Sequence, residues 1–255
     1  MTMDTRGDVE SRNRNRVERG SKRVRAVFAG EVVADTTRPL LVWEVPYYPT
    51  YYLPADDVRT ELIVATGRSR HSPSRGEGRI AHLVVGDRQA TDAVTEYPDS
   101  PIEVLRGHVR LSWSALDAWF EEDEEVFVHP RDPYVRLDVL PSSRHVEVVV
   151  DGVTVAESRR ARLLFETNLP PRYYLPADDV RDELLEPSDT VTRCPYKGEA
   201  EYYSARVGDT RVPDVAWCYR EPLPESERIA GHVAFHQERV RVLVDGEVDD
   251  GGTAR

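Results

Sequence analysis

Lysine is nearly missing from this chain: of 34 basic residues only Lys22 and Lys197 are lysines, and the rest are arginine. Positive charge is therefore carried by a planar fork that stays charged, whereas Lys197 is a flexible point charge able to lose its proton when desolvated. An arginine-biased composition that left one lysine behind is the plainer account of it. Cysteine is scarce too. Cys194 and Cys218 both fall in the later half of the chain, which excludes a disulfide framework or a multi-cysteine zinc site holding the fold. No apolar stretch reaches the roughly 18 residues of a membrane span. The chain reads as a soluble, cytoplasmic protein without membrane association. The formal net charge of −12 argues against a general affinity for nucleic acid, although a local basic pocket stays open. A dinucleotide-binding glycine fingerprint, a P-loop, a nucleophile elbow and a metalloprotease helix are all missing, so no cofactor or metal is expected.

What is present is a repeat. Residues 51–59, Tyr-Tyr-Leu-Pro-Ala-Asp-Asp-Val-Arg, return letter for letter at 173–181. The same offset of 122 pairs Gly30 with Gly152, Arg38 with Arg160, Glu44 with Glu166 and Leu62 with Leu184. A period of this kind fixes the architecture before any propensity argument, and each copy serves as a control for the other. The expected layout is a polar tail over 1–22, a first domain over 23–125, an ordered connector over 126–144, a second domain over 145–248 and a short tail over 249–255.

Both copies read as mostly β, an α+β class with one short helix each. Alternating valines at 146–150 and 153–155 flank Asp151-Gly152, a hairpin signature because a type I′ turn needs positive φ at both central residues. The repeated block predicts the helix: Pro176 suits a first helical position, Asp178 and Asp179 complement the dipole, and Val180 and Leu184 have helical spacing. Copy one ends differently, with residues 114–120 predicting a further helix followed by an acidic run. The connector, rich in proline and aromatics, predicts a strap packed on a domain, and its polar residues from His129 to Pro141 form a secondary candidate site.

Chemistry concentrates in copy two. Residues 192–198 read Thr-Arg-Cys-Pro-Tyr-Lys-Gly, where copy one reads Arg-His-Ser-Pro-Ser-Arg-Gly. Proline and glycine persist, so the turn is shared; the thiol of Cys194, the phenol of Tyr196 and the ammonium of Lys197 do not persist. A thiol three residues from a lysine is open to activation, and a lysine beside a turn can bind a phosphate or carboxylate; a small buried cysteine with a solvated lysine is the bland alternative. Tyr173 and Tyr174 predict one ring in the core and one lining a cleft. Trp217, where copy one has Thr95, is a stacking wall or a core residue. Arg160 and Glu166 read as ligand-binding groups or, more simply, as a structural ion pair, and His232 as an acid/base group or a hydrogen-bonded strand histidine.

Copy two, through Tyr173-Tyr174-Leu175-Pro176, Cys194-Pro195-Tyr196-Lys197-Gly198, Tyr202-Tyr203, Trp217, Tyr219 and residues 229–235, resembles the bacterial domain-of-unknown-function 427 family, also filed under a nucleotidyltransferase-like name. Copy one resembles a divergent member. The resemblance implies a compact β-rich domain of the Mss4-like, β-tent kind and no defined reaction. Relatives of that fold often hold zinc through paired CxxC motifs, which this chain lacks. The leading expectation is a cleft in copy two, rimmed by Tyr173, Cys194, Tyr196, Lys197 and Trp217, for a small anionic ligand such as a nucleotide or phosphorylated metabolite. The rivals are a thiol enzyme using Cys194 assisted by Lys197, and a non-catalytic protein-interaction module.

Overall fold

Alternating apolar residues make strands only if each buried face finds a partner. In a computed structural model of the chain, residues 16–249 are described; the outermost parts of the two expected tails lie outside them. The chain divides into two units, the first ending at Asp132 and the second beginning at Pro133. Each unit contains a seven-stranded and a four-stranded antiparallel sheet. In the second unit the larger sheet runs Leu137–Pro141, Arg162–Glu166, Arg172–Pro176, His232–Phe235, Thr210–Cys218, Gly198–Val207, Leu185–Cys194. The first unit repeats that order from Val17–Arg19 to Ile63–Ser72. Mostly β domains with few helical residues are thus what the sequence forms.

One core lies between the two sheets of each unit. In the second it includes Val146, Val148, Tyr173, Leu175, Phe235 and Val242; in the first, Val24, Tyr51, Leu53, Leu83, Leu111 and Trp119. A smaller core sits on the other face of the larger sheet, around Leu164, Tyr174, Trp217, Tyr219 and Ile229 in the second unit and around Leu40, Val42, Tyr52, Tyr97 and Leu105 in the first. At roughly 1.5–3 kcal/mol per fully buried large side chain, this second layer contributes substantially to holding the sheet.

Four expectations change. The repeated helix is two separate 3-10 turns, Ala177–Asp179 and Asp182–Leu184, because Val180 between them bridges to Ala156 and the Arg181 amide bonds to the Val155 carbonyl. The helix expected over 114–120 is a 3-10 turn, Trp113–Ala115, and a strand, Ala118–Glu121, paired with Val24–Phe28; burying Trp119 in the core outweighs the local helix propensity of the Ala-Leu-Asp-Ala run. The polar tail is shorter than expected, since Val17–Arg19 is an edge strand on Leu40–Val42. Its counterpart Leu137–Pro141, on Arg162–Glu166, takes up part of the connector. The hairpin at Asp151-Gly152 forms with φ of 48° and 77°, the left-handed pair its sequence calls for.

A polar clasp appears twice. Ser158 Oγ and Arg160 both donate to the Asp179 carboxylate, at 2.6 Å for Ser158 Oγ and for Arg160 Nη2; Thr36 and Arg38 donate likewise to Asp57. The clasp ties the first 3-10 turn to the end of the strand Val153–Ser158, and in the first unit to the end of Glu31–Thr36. Hydrogen bonds from Arg160 and Ser158 hold Asp179 below the usual carboxylate range, and those from Thr36 and Arg38 do the same for Asp57. A carboxylate with a depressed folded pKa stabilises the fold above the unfolded value of about 3.9, and that stabilisation is lost as pH falls through the folded value. Urea unfolding followed from about pH 5 down to about pH 2.5 should therefore show a steeper loss of stability for the wild type than for Asp57→Asn/Asp179→Asn. Equal slopes would show that the clasps contribute nothing.

Candidate functional site

Strand alternation decides which side chains meet. In Arg172–Pro176, Tyr173 enters the space between the sheets while Tyr174 faces outward. Register then pairs Tyr174 with Ala234, Ala234 with Trp217 and Trp217 with Tyr202, and directly paired residues share a face. Steps of two carry the same face to Glu166, Arg172, Cys194 and His236.

On this outer face of the second unit the rings form a cluster. Trp217 lies 4.5 Å from His236, 6.4 Å from Tyr202 and edge-on at 6.4 Å to Tyr174, centroid to centroid. Its indole N–H donates to Tyr174 Oη at 3.3 Å, and the Arg172 guanidinium stands 5.9 Å over its ring. Burial pushes the Tyr174 and Tyr219 phenols upward, aided by the neighbouring Glu166 carboxylate, so both stay protonated. Burial pushes His236 down. Lys197 lies in the turn before Gly198, whose φ of 93° suits glycine, and sends its ammonium to Glu166 Oε2 at 2.5 Å. The two side chains are 12% and 10% exposed. Among the described residues no hydrogen bond joins Lys197 to the Cys194 thiol.

The first unit keeps this framework and changes its contents. Arg75 replaces Lys197 and Glu44 replaces Glu166. Across one strand pair, Thr95 faces Arg110 where the second unit has Trp217 facing Ala234. A large ring with a small partner has become a small residue with a long cation. Glu44 Oε1 accepts from Tyr52 Oη at 2.6 Å and Arg110 Nε at 3.1 Å. Arg75 Nε, sealed from solvent, has no hydrogen-bond acceptor and lies 3.8 Å from the same oxygen. A cavity of about 230 Å³ lies beside Thr95, lined by Glu44, Arg70, Arg75, Thr95, Tyr97 and Arg110 among others.

The structure brings together Cys194, Lys197, Glu166, Tyr174 and Trp217, with Tyr196 in the adjoining turn, its carbonyl accepting from Ser226. It separates the others. Tyr173 lies in the inner core with its hydroxyl donating to Asp249 at 2.5 Å. His232 Nδ1 sits 2.8 Å from the Ala230 carbonyl. Arg160 and Glu166 do not pair: Arg160 goes to Asp179 and Glu166 to Lys197, because the strand Arg162–Glu166 holds them at opposite ends. The first unit repeats the pairing of Arg38 with Asp57, but there Glu44 takes Arg110 at 3.1 Å, with Arg75, the counterpart of Lys197, at 3.8 Å. Sequence reasoning missed Arg110, Arg172, Tyr202 and His236. Arg110 between Val109 and Leu111 was the available signal, a cation with its own face of a strand.

A duplicated two-sheet β domain, each copy with a cation and a glutamate on the outer face of its larger sheet, is the class of protein that these features define. The family described as Domain of unknown function (DUF427), NTP_transf_9, matches residues 16–122 and again 138–246, and the chain belongs to it as a tandem pair. Both matches open at the edge strands that the fold revealed. No curated protein matches the chain.

Removing one member of a nearly buried ion pair strands the other. Glu166→Gln should cost about 3 kcal/mol in urea unfolding, whereas Lys197→Met/Glu166→Leu should fall within about 1.5 kcal/mol of wild type. Equal losses for the two variants would contradict this account of the pair.

Proposed function

We propose that this protein binds a small anionic ligand, and that the first unit's arginine cavity is the site. The observation that carries the reading is the excess of cation there: Arg70, Arg75 and Arg110 line one cavity with the single carboxylate of Glu44, and Arg75 Nε has no acceptor. A ligand oxygen would pair with the guanidinium groups that the single carboxylate leaves unbalanced. The second unit offers less to an anion. Its lysine is already neutralised by Glu166, and Arg172 is neutralised by Glu238 and donates a hydrogen bond to Gln237.

A second reading belongs to that unit. The rings of Trp217, Tyr202 and His236 favour stacking of a flat ligand; binding lost in Trp217→Leu but kept in Arg110→Gln would support it, and the reverse would remove it.

The primary reading is tested by calorimetric titration of the full chain with inorganic phosphate. Binding is expected in the wild type and in Lys197→Arg. It should weaken about tenfold in Arg110→Gln or in Arg70→Ala, each removing a charged donor. Thr95→Trp, which refills the cavity as Trp217 does in the second unit, should abolish it. Failure of the wild type to bind, or full affinity in Thr95→Trp, would sink the proposal.

A further inference from the structure

We infer that the ligand of the first unit carries a planar aromatic ring next to its anionic group, making it an aryl phosphate or aryl carboxylate; this rests on the anion site proposed above. Glu44 and Arg110 line a second cavity as well, of about 350 Å³. The two cavities therefore share a wall, and that wall is the arginine–glutamate pair. On the far side of it the chemistry changes from cationic to aromatic.

Two stacked ring pairs line the larger cavity. Tyr48 and His129 lie 4.0 Å apart at 10°, and Trp113 and Trp119 lie 4.8 Å apart at 5°. The Trp119 indole N–H donates to the Trp113 carbonyl at 3.2 Å, so its polar atom is satisfied. Ring faces of this kind attract another ring in an offset or edge-on arrangement. His129 and Pro130 come from the segment that follows the acidic run.

Arg110 borders both compartments. Its Nε is held by Glu44 at 3.1 Å, and its terminal nitrogens make no hydrogen bond to described residues. A guanidinium fixed at one edge presents its other edge and its face: the edge matches two oxygens of a carboxylate or phosphate, and the face stacks on a ring. The smaller cavity falls below the roughly 300–1,000 Å³ of ligand pockets and the larger lies near the lower end of that range. The smaller fits the anion and the larger fits what is attached to it. In the second unit Gln237 stands where the first has Trp113 and Val242 where it has Trp119, so the stacked indole pair has no counterpart there.

Calorimetric titration of the full chain with matched probes tests this: inorganic phosphate against phenyl phosphate, and acetate against phenylacetate. The aryl member of at least one pair should bind about tenfold tighter than its ring-free partner. That gain should vanish in Trp113→Ala and shrink in Tyr48→Ala, while affinity for inorganic phosphate stays at the wild-type value. Tyr48 is half-buried and outside both cores, so its variant keeps the test valid if Trp113→Ala does not fold. Equal affinity within both pairs, or a gain that survives both substitutions, overturns the inference and leaves the anion site standing. Loss of inorganic phosphate binding in the wild type would overturn both.

Discussion

Everything in each unit depends on a strand that is buried on both faces. Thr50–Pro54 and Arg172–Pro176 lie inside their seven-stranded sheets, and consecutive tyrosines on each must find opposite partners. Tyr51 and Tyr173 go inward and are held by carboxylates, Glu121 and Asp249. Tyr52 and Tyr174 go outward, so the second face of the sheet needs a cover of its own. The turn before Gly198 and the 3-10 turn Pro224–Ile229 supply it, joined by the Leu223 amide to the Lys197 carbonyl and by Ser226 to Tyr196. A face covered by turns rather than by a sheet is the one place where the fold can change contents without changing strands.

The two copies have used that freedom in opposite ways. Trp217 with Ala234 packs the outer face with rings, and the Lys197–Glu166 pair closes its edge. Thr95 with Arg110 opens the same face and lines it with cations. Both arrangements satisfy the glutamate at the end of the preceding strand, which is why that glutamate is common to both. Duplication has preserved a carboxylate with a cation and divided the surrounding chemistry. The loss of cysteine, tyrosine and lysine from the turn of copy one is therefore accompanied by a gain at Arg110, two strands across the sheet and 35 residues from Arg75 in sequence.

Much of the fold was legible in the chain. The exact repeat gave the two copies, alternation gave the strands, and Asp151-Gly152 gave its hairpin. The edge strands Val17–Arg19 and Leu137–Pro141 were hidden because backbone pairing holds them and their side chains share only a valine at the matching position. The strand at Ala118–Glu121 was hidden by local residues that favour a helix. Ion-pair choices were hidden for a different reason: Arg160 and Asp179 are brought together by a turn and a bridge that no spacing announces. The turn around Cys194 and Lys197 was visible as a site candidate. Its counterpart in copy one was visible only as a list of losses, since the compensating arginine lies on another strand.

Anomalous diffraction from a bromide-soaked crystal of the full chain tests the division most directly. Bromide is a small anion with no hydrogen-bonding shape of its own, so it reports uncompensated positive charge. The account predicts a peak among the guanidinium groups of Arg70, Arg75 and Arg110, and none at the Lys197 ammonium. A peak at Lys197 with an empty arginine cavity would contradict it.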